Sequence, residues 1–246
     1  MHFLTYNMQA AIGAEHYLGY VTKLHKQVIH TKEKSLGLLK IARMIRKYDI
    51  VCLQEVDLGG LRSGYKSQAD ILQEYTKHPF MLSQINRRVG RFSIHGNMIL
   101  SRYPLTLIDD SNLPSKLSGR GALVAQANID GTIYNIINTH LSLGPRDQKE
   151  QFTWLADKIR PHHNIILCGD FNCQPQAEHL QAFALRANLQ LLTNNELKTF
   201  PSWKPQKSLD HILISKDLMA TDCQVLPHKL SDHLAVSVCI KTDEKQ

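Results

Sequence analysis

Eight apolar runs constrain the fold of this chain more than any other feature, because several of them are apolar at consecutive rather than alternate positions. A strand of that kind has no face suited to water, so its sheet must be covered on both sides. The runs span 3–7, 49–55, 96–101, 121–129, 132–140, 164–170, 209–215 and 234–240. Two sheets packed against each other, with helices outside them, would meet that requirement.

Helical periodicity accounts for the outer layers. Within 35–48, one face carries the apolar side chains Leu38, Ile41, Ala42 and Ile45, which is typical of a helix packed on a core. Helices are also predicted over 67–76, 147–160 and 176–187. The residues therefore predict an α/β protein.

A single unit is the expected organisation. The 246 residues are 43% hydrophobic and 21% charged, a balance that supports a large core. We find no Pro/Gly/Ser-rich linker and no repeat, so we predict one domain over 1–246, with a monomer as the default state. The five cysteines are odd in number and show no metal-binding spacing. In the absence of a signal-like leader or a membrane-length apolar stretch, we expect a cytoplasmic protein with no transmembrane segment.

An excess of positive charge favours anionic partners. The formal net charge is +7, and the isoelectric point is about 9.1. Such a surface would attract nucleic acid, phosphorylated metabolites or an anionic membrane surface. The basic residues are spread along the chain, so charge alone does not choose among these partners, and a solvated basic surface is the alternative interpretation.

The segment 9–34 is a basic insert between the first strand and the first long helix. It carries Tyr17, Val21, Leu24 and Val28 at helical spacing, and lysines and histidines occupy many of the remaining positions. Two interpretations have equal weight. The segment forms either a substrate-selecting cap that contacts phosphates or a membrane surface, or an ordinary amphipathic helix packed on the sandwich.

Polar side chains stand at the ends of most of the predicted strands. They are Asn7, Glu55, Asn138, His140, Asp170, Asn172, Asp210, Asp232 and His233. Any one of them is more simply explained as a cap or a turn. Their repetition predicts that the strand ends converge on one rim and line a pocket there.

The types of these residues indicate phosphoester hydrolysis. Glu55, Asp232 and Asn7 offer hard oxygen ligands, which suit Mg²⁺, or Mn²⁺, better than a tetrahedral zinc site. Asp170 is the candidate base or orienting carboxylate for a water molecule. Charge that develops on the phosphoryl oxygens needs hydrogen-bond donors, and the candidates are His140, His233 and the Asn172 amide.

Eight short motifs occur in a characteristic order: LTYNMQ, DIVCLQEVD, GNMILSRYP, GRGALVAQ, NTHLSLG, LCGDFNCQP, SLDHILIS and LSDHLAVSV. Together they resemble the successive motifs of the endonuclease/exonuclease/phosphatase superfamily, nearly end to end. The resemblance implies a DNase I-like fold, a four-layer α/β/β/α sandwich of two mixed sheets flanked by helices, with the site at one end. It also implies that Glu55 is the principal Mg²⁺ ligand, that Asn7 helps to hold metal or phosphate, and that Asp232 lies near the metal.

The same resemblance implies catalytic roles. Asp170 would activate the attacking water, and Asn172 would stabilise the pentavalent transition state. His233 would contact the scissile phosphate and be oriented by Asp210. His140, within NTHL, resembles the branches that act on DNA, RNA tails, sphingomyelin or phosphoinositides, and it disfavours abasic-site repair.

Substrate contacts are predicted at Arg120, Asn97, Arg62 and Trp203. Each has a structural alternative: a strand-edge salt bridge for Arg120, a buried amide for Asn97, an exposed loop for Arg62 and a pinned Pro-rich loop for Trp203. We expect a Mg²⁺-dependent nuclease acting on DNA or RNA. The alternatives are a phosphodiesterase or phosphatase acting on a lipid headgroup or small metabolite and, least favoured, a non-catalytic binding module.

Overall fold

The computed structural model describes residues 1–11, 32–60, 63, 65–90 and 92–241. Twelve strands form two six-stranded mixed sheets within these residues. The first sheet has the order β11-β12-β1-β2-β4-β3 and the second the order β5-β6-β7-β8-β10-β9. The strands of the first sheet are β1 (His2–Asn7), β2 (Ile50–Asp57), β3 (Phe80–Val89), β4 (Ser93–Ser101), β11 (Ala220–Val225) and β12 (Val236–Ile240). The strands of the second are β5 (Leu105–Asp109), β6 (Gly121–Ile129), β7 (Thr132–His140), β8 (Ile165–Asp170), β9 (Leu189–Leu191) and β10 (Asp210–Ser215).

In the described part of the chain, four α-helices cover the outer faces of the sheets. They are α1 (Lys32–Ile45), α2 (Gln68–Thr76), α3 (Pro145–Ile159) and α4 (Glu178–Arg186). Ser67 caps α2 by accepting a hydrogen bond from the backbone N–H of Asp70, which satisfies one of the free donors at the start of the helix. All four lie within three residues of the predicted bounds. A short 3-10 helix, Gln9–Ala11, follows β1.

Three hydrophobic clusters separate the four layers. The first joins α1 and α2 to the first sheet, the second lies between the sheets, and the third joins α3 and α4 to the second sheet. In β2, Val51 and Leu53 face the helices, whereas Ile50 and Cys52 face the other sheet. Because successive strand residues point to opposite faces, both faces of an inner strand are buried. This packing confirms the predicted sandwich and explains the consecutive apolar runs.

The eight predicted strands correspond to β1, β2, β4, β6, β7, β8, β10 and β12. The structure adds β3, β5, β9 and β11, which were not predicted. Each of these four is an outermost strand of its sheet. Most of the insert at 9–34 lies outside the described residues, so both interpretations of it stay predictions. None of the described helices combines the length and apolarity needed to cross a bilayer.

His78 gives the fold a testable dependence on pH. It lies buried after α2, where Nε2 is 2.9 Å from the Tyr48 carbonyl oxygen and Nδ1 is 2.8 Å from the Thr76 hydroxyl. Burial lowers the pKa of His78 below its ordinary value of 6.5. The unfolded chain therefore binds this proton first as the pH falls, so the contribution of His78 is complete above pH 6.5 and declines below it.

We accordingly expect the free energy of unfolding of the wild type to fall more steeply between pH 7 and pH 5 than that of His78→Gln. One proton sets the limit of the difference at about 1.4 kcal/mol per pH unit. Urea titrations at four pH values with EDTA present would measure both slopes. Equal pH slopes in the wild type and in His78→Gln would contradict the lowered pKa of His78.

Candidate active site

A row of side chains crosses four neighbouring strands of the second sheet. His140 pairs with Gly121 on β6 and with Asp170 on β8, and Asp170 pairs with Asp210 on β10. Because β7 and β8 are parallel and their two neighbours run the opposite way, β7 and β8 end where β6 and β10 begin. Residues in register on adjacent strands project to the same face, so His140, Asp170 and Asp210 share one end of the sandwich.

The first sheet contributes Asn7 and Glu55 to the same end. Asn7 is the last residue of β1, and its Nδ2 donates to Asp170 Oδ2 at 3.0 Å and to Glu55 Oε1 at 3.3 Å. Glu55 stands at a bulge in the pairing of β2 with β4 and has a φ of 55°. A positive φ is uncommon for a residue with a side chain, and bulges re-aim side chains next to active sites. Asn7 thus joins the two sheets across the candidate site.

Two loops complete the cluster. After β8, Asn172 adopts a φ of 52°, its backbone N–H donates to Asp170 Oδ1 at 2.9 Å, and its side-chain Nδ2 donates to the Leu141 carbonyl at 2.9 Å. Before β12, Asp232 and His233 are both buried. His233 Nδ1 lies 2.8 Å from Asp210 Oδ2, and His233 Nε2 lies 3.7 Å from Asp170 Oδ2.

Electrostatics divides the site into a protonated imidazole and carboxyl groups that hold protons more tightly than usual. Burial opposes a charge on the His233 ring, but Asp210, Asp170 and Asp232 outweigh it and hold the pKa of His233 well above its ordinary value. Burial, with the nearby Asp210, raises the pKa of Asp170 to about 7 despite the opposing His233. Burial, with Glu55, raises the pKa of Asp232 to about 6.

His140 is the opposite case, a neutral imidazole. Burial above all, then the charges of Arg120 and His233, hold the pKa of His140 well below its ordinary value. An Arg120 guanidinium nitrogen donates to His140 Nε2. A guanidinium has only donors, so Nε2 must accept and the ring proton must sit on Nδ1. Arg120, rather than His140 Nε2, therefore presents N–H groups to the site at this position.

The donor set fits a divalent cation. Asp210 Oδ1 is buried and has no hydrogen-bond partner among the described residues, and such an atom is costly unless a ligand or cation satisfies it. Ligand atoms of Asp170, Asp210 and His233 all lie within 4.8 Å of one another, but His233 Nδ1 is held by Asp210, so the carboxylate oxygens are the atoms left to face an ion. The predicted ligand Glu55 keeps 37% of its side chain exposed, which leaves it accessible from solvent. Hard carboxylate oxygens of this kind suit Mg²⁺ and Mn²⁺.

The other predicted contacts lie in different environments. Asn97 is fully buried on β4, and its Nδ2 donates to Gln84 Oε1 at 3.0 Å and to the Gly121 carbonyl at 3.1 Å, so these contacts are those of a structural amide. Trp203 is half-buried in the loop before β10. Its neighbour Ser202 is tied to the backbone of the His233 loop. Arg62 lies outside the described residues.

A buried amide that was not predicted as a site residue, Gln148, holds the backbone of the site loop in place. Gln148 on α3 donates from Nε2 toward the carbonyls of Ser142, Phe171 and Asn172, and His179 Nε2 lies 2.7 Å from its Oε1. Gln148 thereby braces the Asn172 turn. The available sequence signal was a glutamine at a position of α3 that the helix buries. Asn138, one of the predicted polar strand ends, instead bonds Gln54 between the sheets.

Comparison with known proteins identifies a family and a set of relatives for this chain. A model of the Endonuclease/Exonuclease/phosphatase family matches residues 4–233. The uncharacterized protein YbhP of Escherichia coli strain K12 is 26% identical over 211 residues, which cover 77% of this chain and 81% of YbhP.

Two solved structures share the fold. An endonuclease/exonuclease/phosphatase from Beutenbergia cavernae has a TM-score of 0.75 and 19% identity, covering 98% of this chain and 71% of its own. A mannosyl-6-phosphatase from Bacteroides thetaiotaomicron has a TM-score of 0.72 and 16% identity, covering 98% of this chain and 100% of its own. At such identities the likeness concerns the fold alone.

Proposed function

Because the chain belongs to the endonuclease/exonuclease/phosphatase family, we propose that this phosphoesterase is a divalent-metal-dependent nuclease that hydrolyses phosphodiester bonds in DNA or RNA. One observation carries the proposal. Asp170, a carboxyl group whose pKa is raised to about 7, lies 3.7 Å from His233, an imidazole whose pKa is held well above its ordinary value. A proton acceptor beside a proton donor is what in-line attack of water on a phosphate ester needs.

In the proposed reaction, Asp170 accepts a proton from the attacking water. Asn7 and the backbone N–H of Asn172 hold its two oxygens in place. Asn172 keeps one side-chain N–H on Leu141, and its second N–H is assigned to the pentavalent transition state. His233 donates from Nε2 to a phosphoryl oxygen, since its Nδ1 is held by Asp210. As the water oxygen bonds to phosphorus, the P–O bond to the leaving oxygen breaks, and that oxygen takes a proton from solvent.

Glu55, Asn7 and Asp232 are proposed to hold the cation, with Mg²⁺ or Mn²⁺ as the ion. When bound, the ion would neutralise charge on the scissile phosphate. The charges of Glu55 and Asp232 are close enough for Glu55 to raise the pKa of Asp232, and a cation between them would relieve that repulsion. We assign Asp210 to His233 because their hydrogen bond already uses Asp210 Oδ2.

Nucleic acid is the favoured substrate because anion-binding groups extend beyond the catalytic cluster. The net charge is +7, and Arg120 retains N–H groups that do not point at His140. The half-buried Trp203 stands on a loop anchored to the His233 loop, where an indole can stack on a base.

Plasmid nicking tests the proposal. Wild-type protein with Mg²⁺ should convert supercoiled DNA to the open circle, whereas an excess of EDTA or the Glu55→Ala substitution should lower the rate by at least about 10³-fold, because removing the cation leaves the phosphate charge unneutralised. Glu150→Ala, at an exposed position on α3, is the matched control and should nick as wild type. Nicking that survives both EDTA and Glu55→Ala would overturn the metal assignment.

A second candidate is a phosphatase or phosphodiesterase acting on a small phosphorylated metabolite or a lipid headgroup. The observation that favours it is the fold shared over its whole length by a mannosyl-6-phosphatase. The two candidates separate by salt dependence, because binding to nucleic acid releases counterions and weakens steeply between 50 and 200 mM salt. Activity on small esters without nicking would favour the second candidate.

A further inference from the structure

Arg87 on β3 lies beside Arg120 although the two belong to different sheets. The contact is made through Gly119, which has a φ of 96°. A Cβ on Gly119 would lie 3.3 to 3.8 Å from three carbons of the Arg87 side chain, so the aliphatic part of Arg87 covers this glycine. The backbone N–H of Gly119 donates to the Asn86 carbonyl at 2.9 Å. This hydrogen bond holds the residue before Arg120 against the residue before Arg87.

The pair carries two positive charges that no carboxylate contacts directly within the part of the chain that the structure describes. Among the described residues, no Asp or Glu forms an ion pair with either arginine. Burial lowers the pKa of Arg120. The charges of Asp170 and Glu55 counteract this effect, and the nearby Arg87 lowers the pKa further. Two like charges held side by side are unfavourable unless an anion binds them.

The position of Arg87 places this pair next to the candidate active site. Arg87 is registered with His95 on β4, and His95 is registered with Asp57 on β2. These residues lie at the end of the first sheet that also carries Glu55. Arg120 donates to His140, its neighbour Gly119 packs under the Arg87 side chain, and the charge of Arg87 acts on Arg120. The order from the catalytic cluster outward is therefore His140, Arg120 and Arg87.

We propose that Arg87 and Arg120 form a second phosphate subsite, which binds the phosphate next to the scissile one along a nucleic-acid strand. The inference rests on the nuclease function proposed above and extends it to a specificity-determining residue. Arg120 would serve both phosphates, and Arg87 would bind only the neighbouring one. Substrates with two adjacent phosphates would then be preferred over substrates with one.

Two pairs of chromogenic substrates test the subsite. One pair is thymidine 5′-(p-nitrophenyl phosphate) with and without a 3′-phosphate, and the other is thymidine 3′-(p-nitrophenyl phosphate) with and without a 5′-phosphate. In one pair the added phosphate should raise kcat/KM of the wild type by about 10-fold, the lower range for a hydrogen bond to a charged group. Arg87→Gln should reduce that gain to about 2-fold or less.

Arg88→Gln is the matched control. Arg88 is also exposed and follows Arg87 on β3, so its side chain projects to the opposite face of the sheet. This variant should retain the full gain from the added phosphate. A gain that is the same in Arg87→Gln and in the wild type, or no gain in either pair, would overturn the subsite.

Calorimetric binding keeps the test independent of turnover. Thymidine 3′,5′-bisphosphate should bind the wild type about 10-fold more tightly than thymidine 5′-monophosphate does, and Arg87→Gln should remove most of that difference. If the wild type hydrolysed none of the four substrates, the proposed function would fail, and the binding comparison would still decide the subsite. Equal affinities for the two ligands in the wild type would refute it.

Discussion

Replacement of Asp170 by Asn is expected to abolish catalysis while leaving the protein folded. The amide cannot accept a proton from water, so kcat for bis-(p-nitrophenyl) phosphate should fall by about 10³-fold, within the range associated with general-base catalysis. Burial raises the pKa of Asp170 to about 7, which means that the fold disfavours the charged form. Removing that charge should therefore not lower the melting temperature in EDTA at pH 8.

Asp110→Asn is the control for this experiment, because Asp110 is exposed and lies outside the site. It should leave both kcat and the melting temperature unchanged. A fall of more than about 5 °C in the melting temperature of Asp170→Asn, which corresponds to roughly 1 to 3 kcal/mol for a chain of this size, would contradict the expectation that the variant stays folded. Undiminished kcat in Asp170→Asn would refute its role as the base.

Asp210 and His233 are expected to act as one unit. Asp210 Oδ2 holds His233 Nδ1 at 2.8 Å and raises the pKa of His233, so Asp210 is a positioning residue that works through the imidazole. Asp210→Asn and His233→Gln should each lower kcat by about 10²- to 10³-fold. Because Asp210→Asn acts through His233, kcat of the double variant should be at most about 3-fold lower than that of His233→Gln.

The kcat of the three variants, measured at saturating Mg²⁺, distinguishes this coupling from independent effects. Independent effects would multiply and make the double variant about 10⁴-fold slower or worse. That result would contradict a purely positioning role and would indicate a separate task for Asp210 Oδ1, a buried oxygen to which no described residue donates.

Sequence patterns predicted the inner strands and missed the edges for a physical reason. β2 and β8 are buried on both faces, so they stand out as apolar runs. β5 and β11 are half-buried or exposed along their whole length, and β9 has three residues. An edge strand has only one neighbour and is stabilised by backbone hydrogen bonds rather than by burial. Its sequence therefore resembles that of a loop.

The candidate site shows the same division between local and distant information. Asp170 and Asn172 were recognisable because an acid and an amide stand where an apolar strand ends. The bracing role of Gln148 was not, because its partners on the Asn172 turn lie more than 20 residues away in sequence. Likewise, Asn97 stands in a motif that suggested substrate contact, but its Nδ2 donates to Gln84 on the neighbouring strand and to Gly121 of the other sheet.

The amino-acid sequence by itself determined the family, the layered fold, the inner strands and the residue types at the strand ends, because each leaves a local pattern of hydrophobicity or motif. Only the tertiary structure decided that the pKa of Asp170 is raised to about 7, that the pKa of His140 is lowered while that of His233 is raised, and that Arg87 lies near Arg120. These properties depend on burial and on charges brought together from different strands. No local pattern can encode them, because pKa values and anion sites are set by distance in space rather than by position along the chain.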